Sequence, residues 1–311
     1  MNDLLRARLN AQYGALAVAD AYTCGYTKLS LSRMVSAGEL IRVRKGAFVD
    51  SRLHAEATPE ARHALAAQAI ARSFDGRHTV RHVSAAAVLG LPLLVDDRQL
   101  GVFHLSRRSP GDQRTSHGLH IHRRLSPGLI RTAAGVAVVH AAVAVVQTAA
   151  LAGVKAGVAA ADAALAAGRI TEADLEVALE VSRIGPGMAD ARLTVALADG
   201  LSESPGESWT RVLFVSLGLP KPELQVEIRD ERGRLVGRVD FLFRAQRTIV
   251  EFDGLVKYAG SNGPQALVAE KRREDSLRGL GFQMVRPTWR DLYDPPRLEQ
   301  AMRSAFARST G

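Results

Sequence analysis

The pattern of apolar and polar positions divides the chain into three segments. In the first segment, residues 1–52, the pattern predicts two helices followed by a β-hairpin. Apolar side chains recur at helical spacing in two stretches that Gly25 separates. The stretch GELIRVRKGAFVD, residues 38–50, then alternates with period two around a Lys45-Gly46 turn, which predicts a β-hairpin. Two helices joined by a glycine turn and followed by a basic hairpin indicate a winged helix-turn-helix.

A winged helix-turn-helix places its second helix in the major groove of DNA and its hairpin, the wing, beside the phosphates. The polar and basic residues at the start of the second helix and on the wing are therefore the predicted DNA contacts. They are Thr27, Lys28, Ser30, Ser32, Arg33, Arg42, Arg44 and Lys45. The alternative is a small α+β fold whose arginines are merely solvated.

The second segment, residues 53–200, predicts a mixed α+β, largely helical middle domain that contains two strands. His117, His120 and His122 lie in or near the second of these strands, and His120 and His122 share one strand face. Carboxylates and cysteines that could complete a metal site are missing from the neighbourhood in sequence. We therefore favour a solvated or phosphate-facing histidine face over a metal site.

The third segment, residues 201–311, predicts the order helix, three strands, helix, strand, helix. Ser204 and Pro205 are typical of the first turn of a helix, where serine caps and proline fits without a lost hydrogen bond. The stretches LQVEI (224–228), GRVDFLF (237–243) and TIVEFDG (248–254) predict the three strands.

Acidic residues interrupt these apolar strands, and this is the strongest chemical signal in the sequence. Asp240 lies between Val239 and Phe241, and Glu251 follows a run of apolar residues. A carboxylate in such a position is costly to bury unless it is paired or bound to a metal. Because Glu251 and Asp253 are two residues apart, they project from the same strand face. If Asp240 is on the adjacent strand, Asp240 and Glu251 are predicted to bind Mg²⁺ or Mn²⁺.

Such a metal ion would activate a water molecule and stabilise the charge on a phosphodiester. The predicted catalytic residues are Glu207, Asp240, Glu251, Asp253, Lys257 and Lys271. Glu207 would add a carboxylate from the preceding helix, and one of the two lysines would neutralise the phosphate. The alternative for Lys271 is a salt-bridged helix surface, because Glu270 and Glu274 are one helical turn apart.

Composition narrows the class of partner. The formal net charge is +9, which favours a polyanion such as double-stranded DNA, although a GC-rich genome that enriches arginine would also raise the charge. The single cysteine, Cys24, excludes a disulfide framework and a cysteine zinc site. Residues 136–167 are apolar but alanine-rich and interrupted by polar residues, which indicates packed helices and no membrane span. The first twelve residues lack the apolar core of a signal peptide, so we expect a cytoplasmic protein.

The third segment resembles the PD-(D/E)xK nuclease superfamily and, more narrowly, the very-short-patch-repair (Vsr)-like endonuclease-related domains. The resemblance covers roughly the last third of the chain. It rests on GESWTR (206–211), LPKPELQVEIRD (219–230), GRVDF (237–241), VEFDGLVKY (250–258), EKRREDSLRGLGFQMVR (270–286) and TWRDL (288–292). The first two segments, through the helix-turn-helix and HTVRHVSAAAVLGLPLL (78–94), resemble AbiEi-type antitoxins of type IV toxin–antitoxin systems.

The nuclease resemblance implies that Asp240 and Glu251 are the superfamily's metal-binding acids. It also implies that Glu207 is the extra acid on the first helix, and that Gln225 is a polar active-site residue. The superfamily's lysine is expected two residues after Glu251, where this chain has Asp253. Either the cation is supplied by Lys257 or Lys271, or the domain is weakly active or inactive.

Two functions follow from these observations. The first is a metal-dependent hydrolase that cuts DNA phosphodiesters and is targeted by its own winged helix. The alternative is a non-enzymatic, antitoxin-like repressor of its own promoter, with a degenerate nuclease fold and with either a toxin partner or none. A weaker third hypothesis is a nuclease that acts on RNA. All of them share an α+β fold, with predicted domains at residues 1–52, 53–200 and 201–311.

Overall fold

The structure, a computed structural model, describes residues 1–182, 185–254 and 264–309 and has the predicted α+β fold. It divides into two compact units, Met1–Ala198 and Asp199–Gly311. The first two predicted segments fall together in the first unit, and the third segment corresponds to the second unit. Within the described part of the chain, every helix is too short or too polar to cross a membrane.

The N-terminal part of the first unit has the connectivity of a winged helix. Its elements are helix α1 (Asp3–Ala11), strand β1 (Ala15–Ala17), helices α2 (Val18–Thr23) and α3 (Lys28–Ser36), and strands β2 (Leu40–Arg44) and β3 (Ala47–Asp50). The three strands form an antiparallel sheet in the order β1-β3-β2. The predicted hairpin is β2–β3, whereas β1 is an addition, because a three-residue strand is too short to create a periodic pattern.

The apolar positions that predicted the winged helix form its core. Leu5 and Leu9 of α1, Leu31 of α3, and Leu40 and Phe48 of the wing are all buried in one cluster. Since α3 buries Leu31 and Met34 in this cluster, its opposite face points away from the core.

The rest of the first unit is built on a six-stranded sheet in the order β6-β7-β5-β4-β9-β8. Its elements are α4 (Ser51–Glu56), α5 (Pro59–Ser73), β4 (His78–Val80), α6 (His82–Val88), α7 (Asp97–Leu100), β5 (Phe103–Arg107), β6 (Arg114–Ser116), β7 (Leu119–His122), β8 (Ile130–Ala133), β9 (Val136–Val139), α8 (Ala141–Ala152), α9 (Val154–Ala166), α10 (Glu172–Val181) and α11 (Met188–Leu197).

This sheet is larger than the two strands that the sequence predicted. In particular, the apolar run assigned to packed helices begins with strand β9, because its four residues are mostly β-branched valines that favour extended backbone. The alanine-rich remainder forms α8 and α9 as expected, and these helices pack closely. Gly157 of α9 fits against Ala149 and Thr194, where a Cβ atom would collide with both side chains.

The second unit has the predicted order of elements with one short additional helix, α14 (Trp289–Leu292). They are α12 (Pro205–Ser216), β10 (Glu223–Arg229), β11 (Leu235–Phe243), β12 (Thr248–Val250), α13 (Pro264–Gly279), β13 (Gln283–Val285), α14 (Trp289–Leu292) and α15 (Pro295–Ser309). The sheet order is β10-β11-β12-β13, antiparallel except for the parallel pair β12–β13. Strand β12 ends at Val250, so Glu251 and Asp253 lie just beyond it, and Asp253 forms an isolated bridge with Thr288.

Candidate DNA-binding surface and carboxylate cluster

Two of the predicted DNA contacts, Thr27 and Ser30, form the N-terminal cap of α3. The Ser30 backbone N–H donates to Thr27 Oγ1 at 3.2 Å, and the Thr27 N–H donates to Ser30 Oγ at 2.7 Å. The Ser30 hydroxyl in turn donates to the Thr27 carbonyl oxygen at 2.9 Å. This reciprocal arrangement is a capping box, which satisfies backbone donors at the helix start. Ser30 therefore stabilises the helix and has no free hydroxyl proton for a base.

The remaining residues predicted on α3 form its exposed face. Lys28, Ser32 and Arg33 are all exposed; Ser32 lies one helical turn after Lys28, and Arg33 follows Ser32 directly. Leu29 lies on the same face with 62% of its surface exposed, and the sequence analysis did not select it. An exposed leucine on a capped, basic helix can contact the methyl group of thymine. Helical spacing places Leu29 one turn before Arg33, and this spacing could have identified Leu29 in the sequence.

The wing presents two of its three predicted basic residues to solvent. Arg42 is exposed and its guanidinium lies 5.5 Å from the ring centre of Phe48, while Lys45 is exposed at the turn. Arg44 is only half-exposed and donates to the His117 carbonyl oxygen at 3.0 Å and to Ser116 Oγ at 3.2 Å. Arg44 thus connects the wing to the turn between β6 and β7 through two hydrogen bonds, which the sequence did not predict.

His117, His120 and His122 have different environments. His117 is exposed at that turn, with a left-handed backbone (φ 35°), and His120 and His122 are partly buried on β7. His117 is therefore separated from the strand face that the other two share.

In the second unit, Glu207 is buried and fully hydrogen-bonded on α12. Its carboxylate accepts from Ser204 Oγ at 2.7 Å, from the Glu203 backbone N–H at 2.9 Å and from Gln225 Nε2 at 3.1 Å. Gln225 has a left-handed backbone (φ 52°), an uncommon conformation for a side chain other than glycine. The contact joins two of the residues that the nuclease resemblance had selected.

The strand registers bring Asp240 and Glu251 to neighbouring positions. Phe241 pairs with Val250, so the antiparallel register continues to Asp240 opposite Glu251. Asp240 is partly buried and accepts the backbone N–H of Phe252 at 2.9 Å. Asp240 in β11 and Glu251 after β12 thus belong to neighbouring strands, which was the condition that the sequence analysis set for their carboxylates to meet.

Arginines, which the sequence analysis did not select, engage Glu251. Arg273 of α13 donates through Nη1 to Glu251 Oε1 at 2.8 Å and through Nη2 to Oε2 at 2.9 Å. Arg286, which follows β13, donates to Oε2 at 3.1 Å. Both arginines also pair with Glu270, and the hydrogen bonds that Arg273 donates to Glu270 and Glu251 raise the pKa of Arg273. The Glu251 side chain is 13% exposed, whereas those of Arg273, Arg286 and Glu270 are 25%, 29% and 38% exposed, so the ion-pair network is partly buried.

The arrangement does not fit the Mg²⁺ or Mn²⁺ site that the nuclease resemblance implies. Both oxygens of Glu251 already face guanidinium groups, and a divalent ion there would lie beside two fixed positive charges. Among the described residues, the oxygens of Glu207, Asp240, Glu251 and Asp253 do not bring three acidic side chains within 4.8 Å of one another. Lys271 is exposed on α13, and Lys257 lies outside the described residues.

The fold and these surfaces define a winged-helix protein whose α/β C-terminal unit carries an arginine-paired acidic centre. Comparison with protein-family models gives no match. The chain is 31% identical over 261 residues to the uncharacterized proteins Rv2248 and MT2308, from Mycobacterium tuberculosis strains H37Rv and CDC 1551 respectively. The alignment covers 83% of this chain and 89% of each relative, so the chain belongs to the same family as these mycobacterial proteins.

Proposed function

We propose that this protein is a double-stranded DNA-binding regulator that reads DNA through α3 and does not use its nuclease-like unit for catalysis. The observation that carries the proposal is the outer face of α3, where Lys28, Ser32 and Arg33 are exposed while Leu31 and Met34 anchor the helix in the core. A capped, rigid helix with basic and polar side chains on its free face has the shape and chemistry that the major groove accepts.

The wing and the overall charge support a DNA partner. Arg42 and Lys45 are exposed on the hairpin that follows α3 in the chain. Winged helices place this hairpin near the DNA phosphates. The net charge of +9 adds a long-range attraction to a polyanion. Arg44 is left out of the proposed interface because its guanidinium is committed to Ser116 and His117.

The ion pairs of Glu251 support the non-enzymatic alternative over the hydrolase. A metal-binding carboxylate needs free lone pairs on its oxygens, whereas the Glu251 oxygens accept three hydrogen bonds from Arg273 and Arg286. The resemblance to AbiEi-type antitoxins suggests that the DNA target is the protein's own promoter and that a toxin is its partner. The cytoplasm, where its DNA would be found, is the corresponding location.

The experiment is a binding titration with a labelled duplex from upstream of its own gene, repeated over a series of salt concentrations. Removing a phosphate contact should reduce the slope of log K against log salt by about 1, and removing a base contact should cost about 1–3 kcal/mol. We expect Arg33→Ala and Lys28→Ala to weaken binding in this way. The matched control is Arg192→Ala, which removes an exposed arginine of α11 and should leave affinity and salt slope nearly unchanged.

Equal binding by wild type, Arg33→Ala and Lys28→Ala would reject α3 as the DNA-reading element. The catalytic question is tested separately by incubating supercoiled plasmid with the protein and Mg²⁺ or Mn²⁺. We expect no nicking by the wild type. Metal-dependent cleavage that Asp240→Ala abolishes would restore the endonuclease hypothesis while leaving the DNA-binding result intact.

A further inference from the structure

Three histidines from separate elements meet in the first unit. His82 begins α6, His104 lies in β5 and His122 ends β7. Strands β5 and β7 are parallel neighbours, and β4, which leads into His82, pairs with the other side of β5. The sheet order therefore brings together side chains that are 18 to 40 residues apart along the chain.

The imidazole rings of these residues are in direct contact. His104 Nδ1 lies 3.0 Å from His122 Nε2. The ring centres of His82 and His122 are 4.5 Å apart, and those of His82 and His104 are 5.0 Å apart. One nitrogen from each of the three rings lies within 4.8 Å of the other two. His120 touches the edge of the His104 ring but does not belong to this set.

Polar atoms beside the histidines lack the partners that burial demands. His82 Nδ1 is buried and has no hydrogen-bond partner among the described residues, and the same is true of Gln147 Nε2. The Gln147 side chain is 1% exposed, and its oxygen already accepts from Arg81 and from the His82 backbone. A buried polar atom left unpaired costs about 1–3 kcal/mol, so a ligand that engages His82 Nδ1 or Gln147 Nε2 would be stabilised here.

The cluster opens onto a cleft of about 1160 Å³, whose lining includes His82, His122, Gln147 and Ser182. A ligand of the histidines would therefore be reachable from this cleft, whereas His104, 2% exposed, closes the cluster from behind.

We propose that His82, His104 and His122 bind a Zn²⁺ ion whose fourth coordination position faces this cleft. Tetrahedral zinc with Zn–N distances of about 2.0–2.1 Å needs its ligand nitrogens about 3.3 Å apart, close to the spacing of His104 and His122. His82 has to move by no more than about an ångström or two to complete the set. Three imidazoles without a carboxylate favour zinc or a similar transition metal over Mg²⁺. A three-histidine site with an open position is typical of zinc that binds water or a ligand.

The protonation states agree with this assignment. Burial, with further contributions from His122 and His120, lowers the pKa of His104 to about 3. Burial, followed by Arg81, lowers the pKa of His122 to about 3 as well. Neutral imidazole is the form that binds metal, and the proton between His104 Nδ1 and His122 Nε2 would leave or move to another ring nitrogen when a metal binds.

The test is a Zn²⁺ titration of the full-length protein after removal of metals with a chelator. We expect one Zn²⁺ per chain by calorimetry and by elemental analysis, and the absorption bands of tetrahedral Co²⁺ when cobalt replaces zinc. His122→Gln and His82→Gln should each weaken Zn²⁺ binding at least about 100-fold, because even changes outside the ligand set cost about 10–100-fold. The control is His120→Gln, on the same strand face, which should change the affinity less than either ligand variant.

The proposal is overturned if the wild type binds no stoichiometric Zn²⁺, if His122→Gln binds it undiminished, or if His120→Gln loses as much affinity as His122→Gln. Circular dichroism confirms that each variant is folded before titration. If His82→Gln does not fold, the test rests on the Co²⁺ spectrum of folded His122→Gln. We expect this variant to lose the bands of tetrahedral Co²⁺, and retention of the bands would overturn the proposed site. Because these residues lie outside the winged helix, failure here leaves the DNA-binding proposal untouched.

Discussion

The substitution Glu251→Gln separates an ion-pair role for this residue from a metal-binding role. Glutamine keeps the shape of the side chain but removes its charge and replaces one acceptor oxygen with an amino group that would face a guanidinium. An ion pair predicts that the C-terminal unit loses stability. If Glu251 were instead a metal-binding acid held beside other acids, the substitution should cost little stability or even add some. The reason is that neighbouring carboxylates repel its charge in the metal-free protein.

The expected loss follows from the geometry and burial of the network. Glu251 accepts three charge-assisted hydrogen bonds, of 2.8, 2.9 and 3.1 Å. The side chains of Glu251, Arg273 and Arg286 are 13%, 25% and 29% exposed. An exposed pair contributes about 0–1 kcal/mol, and breaking a buried one costs about 3–5 kcal/mol. For this intermediate burial we expect a loss of about 2–3 kcal/mol.

Tryptophan fluorescence during urea unfolding measures this loss for the correct unit. The chain has two tryptophans, Trp209 and Trp289, and both belong to the C-terminal unit. The matched control is Glu223→Gln, which breaks a similar bidentate pair with Arg244 that is solvent-exposed and should cost much less stability than Glu251→Gln. A Glu251→Gln loss no larger than that of the control, or a stabilisation of the wild type by Mg²⁺ that the variant lacks, would refute the reasoning.

Three further predictions concern the first unit. Gly157→Ala should destabilise it by about 1–3 kcal/mol in thermal unfolding followed by circular dichroism, because the new Cβ would lie 2.5 Å from Thr194 Oγ1. Burial lowers the pKa of His78 to about 4, below its unfolded value of 6.5, so the unfolded state binds the extra proton and stability should fall as pH drops from about 6.5 to 4. His78 contributes at most about 1.4 kcal/mol per pH unit to this slope, and His78→Leu should reduce the slope by that contribution. Arg44→Ala should lower stability by about 1 kcal/mol and weaken DNA binding less than Arg33→Ala.

Each of these has a control or a contrary outcome. Gly128→Ala adds a Cβ into open space and should change stability by less than about 0.5 kcal/mol, so equal effects at both glycines would contradict the packing argument. An unchanged pH profile in His78→Leu would mean that other groups govern acid sensitivity. A larger effect of Arg44→Ala than of Arg33→Ala on DNA affinity would return Arg44 to the DNA surface.

Local patterns in the sequence determined most elements of residues 1–52 and 201–311 and their order. The helix and hairpin periodicities of residues 1–52 led to the winged helix, since the same apolar positions that repeat along the chain form its core. The order of helices and strands in residues 201–311 followed in the same way. Asp240 and Glu251 were recognised because a carboxylate next to an apolar strand is conspicuous in any fold.

The tertiary structure decided which partners those residues have. The sequence analysis expected Lys257 or Lys271 as the cation near the acidic residues, whereas the packing of α13 places Arg273 against Glu251. The histidine cluster was hidden because His82 and His104 lie far from His122 in sequence, and strand order alone brings them together. Periodicity records which face of an element is buried, but contacts between distant elements depend on topology and register, which a single sequence does not display.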